Sequence, residues 1–155
     1  VGAAAAAQLG LPFVDLDDEI VRQAGRSIAA IFAGEGESLF RSLEREATRR
    51  LREAPASVVA PGGGWVTNSE TVALLCPPAR MMYLKVSPRA AAQRIRRTVH
   101  KRPLLRGDPV AALERMLGAR EASYAMADYV VDTELLTRQA VTSSVVALIS
   151  GASAQ

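Results

Sequence analysis

The sequence predicts an α/β sandwich built on a parallel sheet, and three observations carry that reading. Short apolar runs rich in β-branched residues recur at Val58-Val59-Ala60, Met81 to Val86 and Tyr129-Val130-Val131-Asp132, with amphipathic helical stretches between them. Capping chemistry falls at the boundaries of those stretches. A run of three glycines, Gly62-Gly63-Gly64, follows the Val58–Ala60 strand directly. In open α/β sheets ligands gather at the carboxyl ends of strands. Glycines there let bare backbone N–H groups approach an anion or a hydroxyl.

Each element has a local reason. Residues 1–8 read as the end of an alanine-rich helix, stopped at Gly10. Leu11 to Asp15 reads as a short strand, with Leu16-Asp17-Asp18 continuing past its end. Ile20 and Val21 start a helix closed by Gly25, and Ser27 caps a short helix carrying Ile28, Ile31 and Phe32. From about Glu37 to Glu53, Leu39, Phe40, Leu43, Ala47 and Leu51 recur at helical spacing, with Arg41 and Glu44 three apart on a polar flank.

Beyond the glycine loop, a helix from Asn68 to Leu75 is stopped by Cys76-Pro77-Pro78. Ser87-Pro88 is an N-cap followed by a first-turn proline, opening a helix to about Arg97. Polar and proline signals make residues 98–107 a mobile loop. Asp108-Pro109 starts another helix whose apolar stripe, Val110, Leu113 and Leu117, continues to Arg120, with Tyr124 one turn on. An arginine on an apolar stripe points into a pocket and holds an anion there. Thr137 caps the last helix, with Val141, Val145 and Leu148 on one face, and residues 151–155 read as a frayed end.

Composition excludes several classes. The chain has 155 residues, 49% of them apolar and 23% charged, as in a single globular domain. A net charge of +3 is too small to argue for nucleic acid, and no basic run is interleaved with aromatics. Cys76 and His100 stand alone of their kinds, which excludes a cysteine metal cluster and a Ser-His triad. No apolar run approaches the ~20 residues of a membrane span, and no signal peptide opens the chain. Arginines greatly outnumber lysines, which suits bidentate recognition of carboxylate and phosphate.

Taken in order, the pieces at 9–17 (Leu-Gly-Leu-Pro-Phe-Val-Asp-Leu-Asp), 25–32 (Gly-Arg-Ser-Ile-Ala-Ala-Ile-Phe), 36–44 (Gly-Glu-Ser-Leu-Phe-Arg-Ser-Leu-Glu), the Gly62–Gly64 loop, 102–105 (Arg-Pro-Leu-Leu) and 131–133 (Val-Asp-Thr) resemble shikimate kinase over essentially the whole chain. The resemblance implies a three-layer sandwich of the P-loop nucleoside monophosphate kinase type, its strands in the order 2-3-1-4-5. It implies a cytoplasmic, monomeric enzyme that phosphorylates the 3-hydroxyl of shikimate with ATP and Mg²⁺, with no nucleic-acid or membrane partner. Asp17 would bind the shikimate hydroxyls and serve as base or orienter, and Asp15 would lie near Mg²⁺ through water. Arg41 and Arg120 would clamp the shikimate carboxylate, and Gly62, Gly63 and Gly64 would present backbone N–H groups. Arg102, in a lid over residues 98–107, would reach the transferring phosphate, and Arg94 would flank the adenine.

Simpler readings stand beside these. Asp15 and Asp17 could be helix caps, Arg41 could pair with Glu37 or Glu44, and Trp65 either lines the pocket or packs. In the family, Val-Gly follows the Gly-Lys-Ser-Thr of the Walker A loop, and this chain opens at Val1-Gly2. The expectation is a chain without that loop and without the central first strand, leaving a gap between the Val58–Ala60 and Met81–Val86 strands. Such a chain would not transfer phosphate by itself. The alternative is a non-catalytic shikimate-binding or regulatory domain.

Overall fold

The computed structural model describes residues 1–96 and 107–152. The elements are α1 (Gly2–Leu9), β1 (Phe13–Asp15), α2 (Leu16–Ala24), α3 (Ile28–Gly34), α4 (Gly36–Glu53) and β2 (Val58–Ala60). A 3-10 turn (Trp65–Thr67) and α5 (Ser69–Ala73) lead to β3 (Met82–Lys85), α6 (Pro88–Ile95), α7 (Pro109–Gly118) and α8 (Glu121–Tyr124). β4 (Tyr129–Asp132) and α9 (Arg138–Ala152) complete the order.

The strands pair in parallel, β1 with β2 from Phe13↔Val58 to Asp15↔Ala60, and β3 with β4 from Met82↔Tyr129 to Lys85↔Asp132. The two pairs form separate sheets, so no ladder joins β2 to β3, the separation expected from the strand order. Helices hold the halves together. α1 lies against β1 and β2 and packs on α9, which lies against β4. Ala5, Val141 and Val145 are buried at that seam, with Met82 of β3 packed onto them.

The larger core sits on the other side, among α2, α3, α4 and the 3-10 turn. It consists of Leu16, Ile20, Ile31, Phe40, Ala47 and Trp65. Leu16 and Ile20 are one turn apart on α2, and Phe40 and Ala47 are two turns apart on α4, so each helix presents one stripe. Trp65 is only 4% exposed, which decides its role in favour of packing. Its indole Nε1–H donates to Thr48 Oγ1 at 2.9 Å, and that hydroxyl donates to the Glu44 carbonyl at 2.7 Å.

Local capping operates as the sequence predicts. Ser27, Ser87, Asp108 and Thr137 accept from backbone N–H groups at helix starts, and Gly10 and Gly25 close helices at φ +67° and +66°. Several boundaries differ from expectation, among them α5, which ends at Ala73 and not Leu75, and β3, which spans Met82–Lys85 and not 81–86. Helix α2 begins at Leu16, four residues before the expected start at Ile20, because the Asp15 carboxylate caps it at once by accepting from the Asp17 and Asp18 N–H groups. Strand β1 begins at Phe13, not Leu11. The stripe expected from Val110 to Tyr124 is broken. Helix α7 ends at Gly118, and Arg120, at φ −121° and ψ −9°, is the residue before α8. Gly151 and Ala152, expected to fray, continue α9; residues 153–155 and the expected lid at 98–107, apart from Gly107, lie outside the described residues.

Trp65→Phe keeps an aromatic ring in this core and removes the indole N–H that donates to Thr48. The lost hydrogen bond costs about 1–2 kcal/mol of unfolding free energy, visible as a lower urea midpoint. An unchanged midpoint would show that the Trp65–Thr48 bond contributes nothing.

Candidate active site

Because β1 and β2 run parallel and in register, they finish side by side at Asp15 and Ala60. The chain leaving β1 turns into α2 and sets Asp17 in its first turn. The chain leaving β2 enters Pro61 and the three glycines. That loop is tightly specified: the Trp65 N–H donates to the Gly62 carbonyl at 2.9 Å, and the Thr67 hydroxyl donates to the Gly64 carbonyl at 2.7 Å. The Tyr124 hydroxyl donates to the remaining carbonyl, that of Gly63, at 2.8 Å.

The glycines are needed for space. None of the three lies at positive φ. A Cβ built on Gly62 would sit 3.1 Å from Asp17 Oδ1, one on Gly63 3.4 Å from Arg120 Nη1, and one on Gly64 3.0 Å from Arg41 Nη2. Successive glycines thus face a carboxylate, a guanidinium and a second guanidinium. Residues from α2, α4, the β2 loop and the α7–α8 junction meet at the carboxyl end of the β1–β2 pair.

Arg41 is held before any ligand arrives. Its Nε and Nη2 donate to Glu37 Oε1 at 3.1 and 2.9 Å, its Nη1 donates to Glu44 Oε2 at 2.9 Å, and its guanidinium carbon lies 5.5 Å from the centre of the Phe40 ring. Burial works against its charge, but the bonds to Glu44 and Glu37 outweigh it and hold its pKa above the usual arginine value. Glu44 is the less comfortable partner. It is 1% exposed, and burial pushes its carboxyl above the usual range despite the opposing pull of Arg41, with Asp17 and Glu37 adding repulsion. Arg120 has no ion-pair partner among the described residues.

The other candidates do not touch the glycines as Asp17, Arg41 and Arg120 do, or lie outside the described residues. Asp15 caps α2, both of its hydrogen bonds falling on Oδ1. Arg94 is outside the glycine-loop cluster; it clasps the loop after β4, donating to Thr133 Oγ1 at 2.9 Å and to the Thr133 and Glu134 carbonyls at 2.5 and 3.2 Å. Arg102 lies outside the described residues. Among the described residues, no group of three or more His, Cys, Asp or Glu side chains is placed to hold a metal. Sequence reasoning missed two groups: the Tyr124 hydroxyl and the buried Glu44 carboxylate. The second left a signal, since Glu44 falls between Phe40 and Ala47 on the buried stripe of α4.

Glu44 also sets a pH dependence. Its native pKa is raised, so its favourable contribution to stability is full below the ordinary value of 4.5 and is lost as pH rises through the native pKa. Glu44→Gln removes this titration. Stability of the variant relative to the wild type therefore rises with pH above 4.5, read from thermal melts across pH 4 to 8. A difference that stays flat, or falls, over that range would contradict the raised pKa.

Comparison with known proteins gives the family. The family model described as shikimate kinase matches residues 1–150. A shikimate kinase of Caulobacter vibrioides is 45% identical over 134 residues, covering 86% of this chain and 66% of its own length. One from Chlorobium limicola is 40% identical over 144 residues, covering 87% of this chain and 72% of its own. The chain thus spans slightly less than two thirds of the Caulobacter relative. Among solved structures, a shikimate kinase from Acinetobacter baumannii in complex with shikimate superposes with a TM-score of 0.88 at 32% identity, over 97% of this chain and 84% of that one. A shikimate kinase from Bacteroides thetaiotaomicron gives 0.84 at 29% identity, over 95% and 86%. A family model that matches residues 1–150, together with relatives at 40–45% identity over most of the chain, identifies lineage: the chain belongs to the shikimate kinase family.

Proposed function

We propose that this chain forms the acceptor-binding part of a kinase that transfers phosphate from ATP to the 3-hydroxyl of shikimate. The observation that carries the reading is the convergence of Asp17, Arg41 and Arg120 on three consecutive glycines. Shikimate offers one carboxylate and a set of hydroxyls, and the cluster offers complements to both. Arg41 and Arg120 clamp the carboxylate; Arg41 comes preset by Glu37 and Glu44, and Arg120 brings a guanidinium with no carboxylate partner among the described residues. The backbone N–H groups of Gly62, Gly63 and Gly64 add donors that no side chain obstructs.

Asp17 faces the first glycine and takes the hydroxyl side of the substrate. There it orients the attacking oxygen and accepts its proton, so that positioning and charge placement do the catalytic work. ATP, when bound, would supply the phosphoryl group, and Mg²⁺ would neutralise the phosphate charge. Mg²⁺ is commonly held by one or two carboxylates together with phosphates and water. Asp15 fits that donor set, acting through water while it caps α2. Arg94, already against the loop after β4, would flank the adenine, and Arg102, outside the described residues, would meet the transferring phosphate. Among the described residues no helix is long and apolar enough to cross a membrane, and we place the enzyme in the cytoplasm as a monomer.

Two measurements test this. Shikimate titrated into the chain quenches or enhances Trp65 fluorescence, and Arg120→Met weakens binding by about 10- to 100-fold, the worth of a charge-assisted pair. In the full-length protein, Asp17→Asn leaves shikimate affinity within a few fold and lowers kcat by about 10²- to 10⁴-fold. A kcat near wild type would reduce Asp17 to a structural residue. Binding without any transfer by the full-length protein would favour a shikimate-binding domain over a kinase.

A further inference from the structure

Tyr124 takes no part in the roles assigned above, yet it is the link between the glycine loop and the segment that carries Arg120. Its hydroxyl donates to the Gly63 carbonyl at 2.8 Å across 61 residues of sequence. Its ring stacks on Tyr83 of β3, with centroids 4.8 Å apart and planes 13° from parallel. A Cβ on Gly63 would lie 3.5 Å from that hydroxyl, beside the 3.4 Å to Arg120 Nη1. Tyr124 and Arg120 therefore meet the loop at the same residue.

The consequence follows from peptide geometry. In a trans peptide the carbonyl and the next N–H point in opposite directions, so whatever holds the Gly63 carbonyl also aims the Gly64 N–H. Two of the three loop carbonyls are held locally, Gly62 by the Trp65 N–H and Gly64 by the Thr67 hydroxyl. Between them, the Gly63–Gly64 peptide is flanked by the residues with the fewest steric restraints on φ and ψ. Its orientation is left to Tyr124, and Gly64 is the residue that abuts Arg41.

We infer that Tyr124 is a positioning residue for the acceptor site: by holding the Gly63 carbonyl, its hydroxyl aims the Gly64 N–H into the space between Arg41 and Arg120 and sets how far the loop stands from both guanidiniums. This rests on the reading of that space as the place of the shikimate carboxylate. The stack on Tyr83 makes the anchor rigid, because the phenol cannot follow the loop if the loop moves.

Tyr124→Phe tests it, since the ring and its stack remain and only the hydroxyl goes. Calorimetric titration of shikimate into the chain shows affinity reduced about 3- to 10-fold, the equivalent of one hydrogen bond. The Gly64 amide, followed by NMR in the unliganded chain, shifts and exchanges with solvent faster, while the melting temperature stays close to wild type. In the full-length protein KM for shikimate rises by the same factor, with KM for ATP unchanged and kcat little affected, a split that general loosening of the fold would not produce. If the unaltered chain fails to bind shikimate, the proposed function falls, and this role in it falls as well. Should the unaltered chain bind and Tyr124→Phe bind equally well, with the Gly64 amide unmoved, the positioning role alone is overturned.

Discussion

Three side chains from three parts of the chain approach one stretch of backbone that has no side chains of its own, and the candidate site depends on that steric permission. At Gly62 and Gly64 a single Cβ would stand 3.1 and 3.0 Å from Asp17 and Arg41, tighter than nine in ten real Cβ contacts, so the facing side chain would have to give way. The constraint is one of room and not of dihedral angle, since the glycines that do sit at positive φ, Gly10, Gly25, Gly36 and Gly107, are turns and helix ends. A loop so bare would wander if it were not tied. Trp65 ties it to α4 through Thr48, and Tyr124 ties it to α8, so the loop is stretched between the two elements that position Arg41 and Arg120.

Helix α4 is consequently both core and site. One stripe carries Phe40, Ala47 and Thr48 into the interior, and Arg41, one position round from Phe40, reaches the loop. Glu44 stands where the two functions meet. Its carboxylate holds Arg41 from inside the protein and is nearly removed from water. A buried carboxylate is costly unless paired, and here the pairing only partly offsets the burial. The stability given up there keeps a guanidinium oriented in advance of its ligand, which reduces the ordering that binding would otherwise require.

The divided sheet places a different demand on the fold. With β1–β2 and β3–β4 unjoined, contact between the halves includes the α1–α9 seam and Tyr124, whose ring meets Tyr83 of β3 and whose hydroxyl meets the loop after β2. The first link is apolar and non-directional. The second is directional, and it is also the one that touches the site.

What the sequence determined by itself is what a few neighbouring residues decide among themselves. Ser87-Pro88 and Asp108-Pro109 begin helices because the capping oxygen and the N–H groups it serves are two or three residues apart. The same locality made the parallel strands and the glycine loop at the end of β2 legible, and the family motifs placed Asp17, Arg41 and Arg120 beside it. Even local reading slipped where two local signals competed: Asp15 serves as the end of a strand and as a cap, and α2 starts at once. Tertiary structure alone decided the break after Gly118, the burial of Glu44, the clasp of Arg94 on Thr133 across 39 residues and the bond from Tyr124 to Gly63 across 61. Beside its bond to the Thr133 hydroxyl, Arg94 ends on the Thr133 and Glu134 backbone carbonyls, and Tyr124 ends on that of Gly63. Every residue carries one, so no letter in the sequence marks which carbonyl a distant donor will find.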